Sequence, residues 1–199
     1  MSHTQTQPTE LVGRELILQE AARLFTRQGY NGISMREIAE ACQMTKAALY
    51  YHFTNKQDLL REILKTYLSS MQQQLSLAKE SSGSVRQRIY GVAHAIFDQN
   101  PQQRAVIHLI FVDAPHLEEN LRGEIGCLYH DQFSGVLETI LQEGIDHNEI
   151  VPVDPRLSAQ LLLGMMYPFF HPRRALTSEE TWTAVELILK IFFEGVEKR

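Results

Sequence analysis

Residues 34–56 carry two helix-start signals either side of a short amphipathic run, and this leaves room for little except two short helices joined by a tight turn. Ser34 and Glu37 match a capping box, and Met35, Ile38, Ala39 and Cys42 follow at i, i+3, i+4, i+7, the repeat of a short amphipathic helix. Gln43-Met44 makes a brief turn, and Thr45 is a good N-cap for a second helix because its hydroxyl can satisfy a first-turn amide. Thr54 with Gln57 matches another box, which predicts a new helix opening at Asn55, its positive dipole end and Lys56 directed at any nearby anion. This is helix-turn-helix grammar, in which the second helix enters the DNA major groove with its N-terminal residues on base edges. Thr45, Lys46 and Ala47 are therefore expected to face bases, and Lys56, Tyr50 and His52 to meet phosphates. Ser34, Arg36 and Tyr51 complete the expected DNA-binding set.

The same residues resemble the tetracycline-repressor family of transcriptional regulators, through Ser34-Met35-Arg36-Glu37-Ile38-Ala39-Glu40-Ala41 followed by Leu49-Tyr50-Tyr51-His52-Phe53-Thr54-Asn55-Lys56. The resemblance implies an all-helical C-terminal domain that binds a small-molecule effector and dimerises through its last two helices. Two positions depart from the family pattern. Gln43 sits where the family often has Gly, and a side chain held in a left-handed conformation costs roughly 1–2 kcal/mol. Ala47 also replaces a common Gly and offers its methyl group to a thymine methyl.

At 199 residues, with 44% hydrophobic and 22% charged side chains, the chain has the composition of a soluble globular protein of one domain or two small ones. No window approaches the roughly 18 uninterrupted apolar residues of a membrane helix, and the N-terminus does not read as a signal peptide, so a cytoplasmic location is expected. A net charge of −5 is no obstacle to DNA binding once it is divided along the chain. Eight Lys or Arg face seven Asp or Glu through residue 65, and eleven face seventeen after it. A DNA surface needs only a local basic face, here Arg36, Lys46, Lys56 and the His52 imidazole. Cys42 and Cys127 fall far apart in predicted helices and read as reduced, packed thiols.

Residues 1–10 have little to bury and are expected to form a mobile arm. Helical repeats from residue 11 to Gln28, closed by Gly29, give a first helix that completes the core of a three-helix DNA-binding domain over residues 11–65, with its motif at about 34–53. A long helix from Asn55 runs through Leu75 before Ser81-Ser82-Gly83 stops it, and bridges into a second domain over residues 66–199. Ser84 caps a helix reaching Asn100, and Pro101 opens another reaching Asp113. Residues 117–144 read as one helix with glycines at 123, 126 and 135, where close packing or a bend is expected. Asp154-Pro155 and the Thr177/Glu180 box open two last helices that are apolar beyond one face, which calls for burial against a second copy of the chain.

For catalysis or metal binding, the candidates are His94, His108, Asp113, His116, Cys127, His130, Asp131 and His147, of which Cys127 and His130 at i, i+3 are the sharpest pair. No second ligand pair accompanies them, and phosphate loops, GxSxG and HExxH are absent. No enzyme, metal or cofactor is expected. His94, Phe97, His108, Phe111, Tyr129, His130, Phe133, Met166 and Tyr167 read instead as an aromatic core, some of it lining a ligand cavity between helices. The expected whole is an all-α, homodimeric regulator of double-stranded operator DNA, a repressor released by a small apolar effector. The competing reading is an architectural or adaptor DNA-binding protein without an effector.

Overall fold

The computed structural model describes residues 8–113, 117–171 and 176–196, with side chains from residue 13 onward. Every regular element among them is helical: α1 (Pro8–Gln28), α2 (Met35–Ala41), α3 (Lys46–His52), α4 (Lys56–Glu80), α5 (Val85–Phe97), α6 (Pro101–Val112), α7 (Glu119–Tyr129), α8 (Gly135–Asp146), α9 (Pro155–Met166) and α10 (Ser178–Val196). A π turn (His130–Ser134) joins α7 to α8, and a 3-10 turn (Tyr167–Phe170) follows α9. None of the described helices is long and apolar enough to cross a membrane.

The first three helices close around Ile17, Phe25, Ile38, Leu49 and Phe53, all fully buried. Gly29 ends α1 with φ +81°, its N–H donating to the Phe25 carbonyl at 2.8 Å, as a left-handed C-cap requires. The expected mobile arm is shorter than its reading: α1 already includes Pro8–Glu10, consistent with the tolerance of Pro for a first helical turn. Residues 1–7 lie outside the described set.

The long α4 buries Leu59, Leu60, Ile63, Leu64, Tyr67, Leu68, Met71 and Leu75 along one stripe and passes residue 65 without a break. Its cap differs from expectation by one residue. Asn55 rather than Thr54 is the N-cap, its Oδ1 accepting from the Asp58 amide at 2.8 Å, while the Asp58 carboxylate accepts from the Thr54 amide at 3.2 Å. Asn is the stronger capping residue. Helix α5 stops at Phe97, three residues short of the expected Asn100, because Pro101 forces Asn100 out of the helical region (ψ 134°) and makes it the N-cap of α6.

The helix expected over residues 117–144 runs without a gap from Glu119 to Asp146, with α7 and α8 joined through a π bulge. The expected irregularity falls in this π turn, where a Cβ on Gly135 would lie 2.8 Å from the His130 carbonyl oxygen, so only glycine fits there. Gly123 and Gly126 face open space and mark no bend. Asp154 and Thr177 cap α9 and α10 as expected. Those two helices leave Leu157 (53% exposed), Leu161 (58%), Leu187 (57%) and Ile191 (54%) uncovered in the single chain. The i, i+4 spacing within each pair makes two adjacent apolar stripes.

Candidate nucleic-acid interface

Helix α2 is closed by its capping box: the Ser34 Oγ accepts from the Glu37 amide (3.3 Å) and donates to the Glu37 carboxylate (2.6 Å), which also accepts from the Ser34 amide (2.8 Å). These bonds hold the Glu37 carboxyl below the usual range, so the cap stays closed at neutral pH. They also engage the exposed Ser34 hydroxyl in the cap, as Thr45 is engaged at the start of α3. At the other end the Met44 amide reaches the Ala39 carbonyl and the Gln43 amide the Glu40 carbonyl, both at 3.0 Å, a Schellman closure. It needs a left-handed residue, and Gln43 takes that conformation with φ 54°.

Helix α3 then starts at right register. Thr45 accepts from the Ala48 amide at 3.1 Å, and Leu49 and the following Phe53 anchor the helix in the core. Lys46, Ala47, Tyr50 and Tyr51 are left outward, Tyr51 at 73% exposure. Lys46 stands over the Tyr50 ring at 5.6 Å, and Tyr51 meets His52 edge-on at 5.2 Å. His52 is half-buried beside α1, its Nε2 3.4 Å from where a Cβ on Gly13 would lie. Arg36 is exposed on α2 and pairs with Glu40 at 2.7 Å.

Lys56 departs from its expected phosphate role. Its Nζ turns inward, donating to the Tyr30 carbonyl (2.9 Å) and the Ile33 carbonyl (2.8 Å), and lies 4.3 Å from the Tyr30 ring centre. The loop between α1 and α2 has buried carbonyls that α4 must satisfy, and Lys56 is the donor within reach. The basic face thus rests on Arg36, Lys46 and the half-buried His52. Sequence reasoning missed Tyr30, whose amide donates to the Asp113 carboxylate at 3.3 Å across 83 residues, tying the DNA-binding helices to the end of α6. It also missed Arg14, which pairs with Glu62 and lies over the Phe53 ring. Both are long-range contacts without a local signal.

The expected ligand residues divide into groups. Phe111, Tyr129 and His130 line one cavity of about 290 Å³ together with Gly126, Ser134, Glu138, Arg156, Gln160 and Leu163. Behind them Phe133 stacks on Tyr129 (5.2 Å), and Tyr167 joins Phe111 (5.2 Å) to His108, whose Nδ1 lies 3.1 Å from the Tyr167 hydroxyl. Met166 is a buried core residue. His94 and Phe97 lie elsewhere: α5 turns them toward α10, where both meet Trp182 and His94 bonds Asp98. Arg156 and Gln160 were missed because their i, i+4 spacing on an apolar helix reads as an ordinary solvated edge. Cys42 is buried and its thiol pushed up by burial, whereas Cys127 faces outward on α7, unlike the packed thiol expected. His116 lies outside the described residues. Among the described residues no three His, Cys, Asp or Glu side chains converge on a point that could hold a metal ion.

A sequence model of the tetR family of bacterial regulatory proteins matches residues 17–63, the span from the core of α1 to the first half of α4. The chain is 30% identical to AibR, solved in complex with isovaleryl coenzyme A and operator DNA; the match covers 90% of this chain and 98% of that one, with a TM-score of 0.72. The ketosteroid transcriptional regulator KstR2 of Mycobacterium tuberculosis has the same fold, at 21% identity over 94% of this chain and 95% of its own, with a TM-score of 0.74. The HTH-type transcriptional regulator YhgD of Bacillus subtilis (strain 168) is 27% identical over 150 residues, 75% of this chain and 78% of its own. With its helix-turn-helix matched and its likeness to AibR sustained over nine-tenths of its length, this chain belongs to the tetR family and is a DNA-binding transcriptional regulator.

Proposed function

We propose that the chain is a homodimeric repressor, released from its operator by a small-molecule effector that binds the cavity beside Phe111. The observation that carries the reading is α3 itself, capped by Thr45 and presenting Lys46, Ala47, Tyr50 and Tyr51 outward from a rigid three-helix core. Thr45, Lys46 and Ala47, at the helix start, take base edges, while Arg36, Tyr50, Tyr51 and His52 take the backbone. Residues 11–65 act as the DNA-binding domain and 66–199 as the effector and dimerisation domain. Two relatives support the regulatory side: AibR was crystallised with both operator DNA and isovaleryl coenzyme A, and the relative KstR2 of Mycolicibacterium smegmatis is named a transcriptional repressor.

Helix α6 is the route of coupling. It carries Phe111 on the cavity and, two residues on, Asp113, whose carboxylate holds the Tyr30 amide in the loop that Lys56 also grips. A ligand that repacks Phe111 shifts this end of α6 and with it the base of the DNA-binding helices. Release requires that the ligand favour the DNA-incompetent arrangement, and linkage demands that operator weaken ligand binding by the same factor, typically about 5–150-fold. The test selects an operator from random duplexes, then titrates isovaleryl coenzyme A with and without saturating operator, for wild type and Asp113→Asn. Reciprocal weakening in wild type, reduced in the variant, is expected. Operator affinity unmoved by the ligands that bind the cavity would return the chain to the effector-independent adaptor.

A further inference from the structure

The cavity that the effector reading uses has an uneven lining. Phe111 and Leu163 make an apolar side, and Tyr129 joins them with its ring packed on Phe111 and Phe133. A phenylalanine would serve those ring contacts equally well. The Tyr129 hydroxyl is nevertheless present, shut off from solvent and without a hydrogen-bond partner among the described residues, a state that folded proteins rarely tolerate without a use. Arg156 and Gln160, one turn apart on α9, supply the polar side and are exposed. Every acid near Arg156 is engaged elsewhere: Glu138 with His130 Nε2 (3.2 Å), Glu143 with Arg88 (2.6 Å), and Asp154 with the Leu157 amide it caps (2.9 Å). Among the described residues, no carboxylate lies within ion-pair distance of the Arg156 guanidinium.

We propose that the cavity takes a small amphipathic anion, its apolar body against Phe111 and Leu163, a carboxylate or phosphate on Arg156, and an oxygen on the Tyr129 hydroxyl, which a small turn of the Tyr129 side chain brings out of its packing. The assignment rests on the effector reading of this cavity and names the chemistry of its ligand. At about 290 Å³ the space lies at the lower end of small-molecule pockets, so the body is one ring or a short branched chain. Arg156 presents the planar fork that matches a carboxylate or phosphate in two parallel bonds. The same anionic group could belong to a free carboxylic acid or to the phosphates of a carrier thioester whose acyl chain enters the cavity.

Calorimetric titration of the full chain with hydrocinnamate, with its neutral amide and with isovaleryl coenzyme A separates these sources. One of the two anions is expected to bind at least about tenfold more tightly than the amide. Arg156→Gln should abolish that preference. Tyr129→Phe should weaken the anion several-fold while raising the unfolding temperature of the free protein, because it removes an unpaired buried hydroxyl. A preference for hydrocinnamate assigns the free acid, and one for the thioester assigns the carrier. An amide that binds as tightly as both anions, no binding by either anion, or an Arg156→Gln protein that keeps full affinity overturns the proposal. Anion binding of the expected pattern that leaves operator affinity unmoved overturns the effector reading and leaves the site standing.

Discussion

The Lys56 ammonium is held by two carbonyls and a ring face, all from the loop that joins α1 to α2. Partial burial lowers its pKa from the ordinary lysine value, while Asp113 and Glu37 pull the other way and favour the charge. Removing it leaves the carbonyls of Tyr30 and Ile33 without their donor, and hydrogen bonds to charged groups contribute about 1.5–3 kcal/mol when buried. Because this site is only partly buried, Lys56→Met should cost about 1–3 kcal/mol of stability, read from urea unfolding. An unchanged midpoint together with a shallower salt dependence of DNA binding would make Lys56 a phosphate contact after all. What was legible at this scale was local: Ser34, Thr45, Ser84 and Asp154 announce helix starts because the bonded amide lies two or three residues away. The direction of the Lys56 side chain was not, since Tyr30 stands 26 residues away and nothing between them fixes the approach.

The π turn between α7 and α8 positions His130 against Asp131 and Glu138, and α6 holds the half-buried His108 against Tyr167. Hydrogen bonds donated by His130 to the Asp131 carboxylate first, then to Glu138, raise the pKa of His130 above the ordinary value. Its pairing therefore stabilises the fold fully below the ordinary histidine range and fades as pH rises through the raised folded value. Burial first, then His171, lowers the pKa of His108. The folded protein resists that protonation, so stability is lost as pH falls from the ordinary value through the lowered one. Between about pH 8 and pH 5, where histidines titrate, unfolding temperatures should show His108→Gln losing less stability on acidification than wild type and His130→Gln losing more. Parallel profiles for all three proteins would remove both assignments. The eight buried positions of α4 were readable because one strong period runs unbroken for 25 residues. The π turn was not: Gly123, Gly126 and Gly135 give the same signal in sequence, and only the closeness of the His130 carbonyl singles out the last.

At the scale of the molecule, Leu157, Leu161, Leu187 and Ile191 are large apolar side chains on two neighbouring helices, each more than half exposed in the single chain. Full burial of such a side chain contributes about 1.5–3 kcal/mol, so four from each of two copies supply ample drive for association. In the proposed dimer a two-fold arrangement would set each stripe against its own counterpart and close the assembly at two chains. That symmetry carries over to DNA. Two α3 helices related by one axis fit half-sites in successive major grooves, about 34–36 Å apart or wider, and the second contact gains from the high effective concentration set by the first. The double variant Leu161→Glu with Ile191→Glu places four carboxylates in a two-fold seam, which is expected to leave folded monomers, since both positions are exposed in the single chain. Sedimentation at micromolar protein should show the wild type as a dimer and the variant as a monomer of unchanged helix content. A pseudo-palindromic operator should bind the wild type about a hundredfold or more tighter than an isolated half-site, and the variant should bind both alike. A wild-type protein that remains monomeric and binds a half-site as tightly as the full operator would mean that these stripes meet some other partner and that each α3 reads DNA alone.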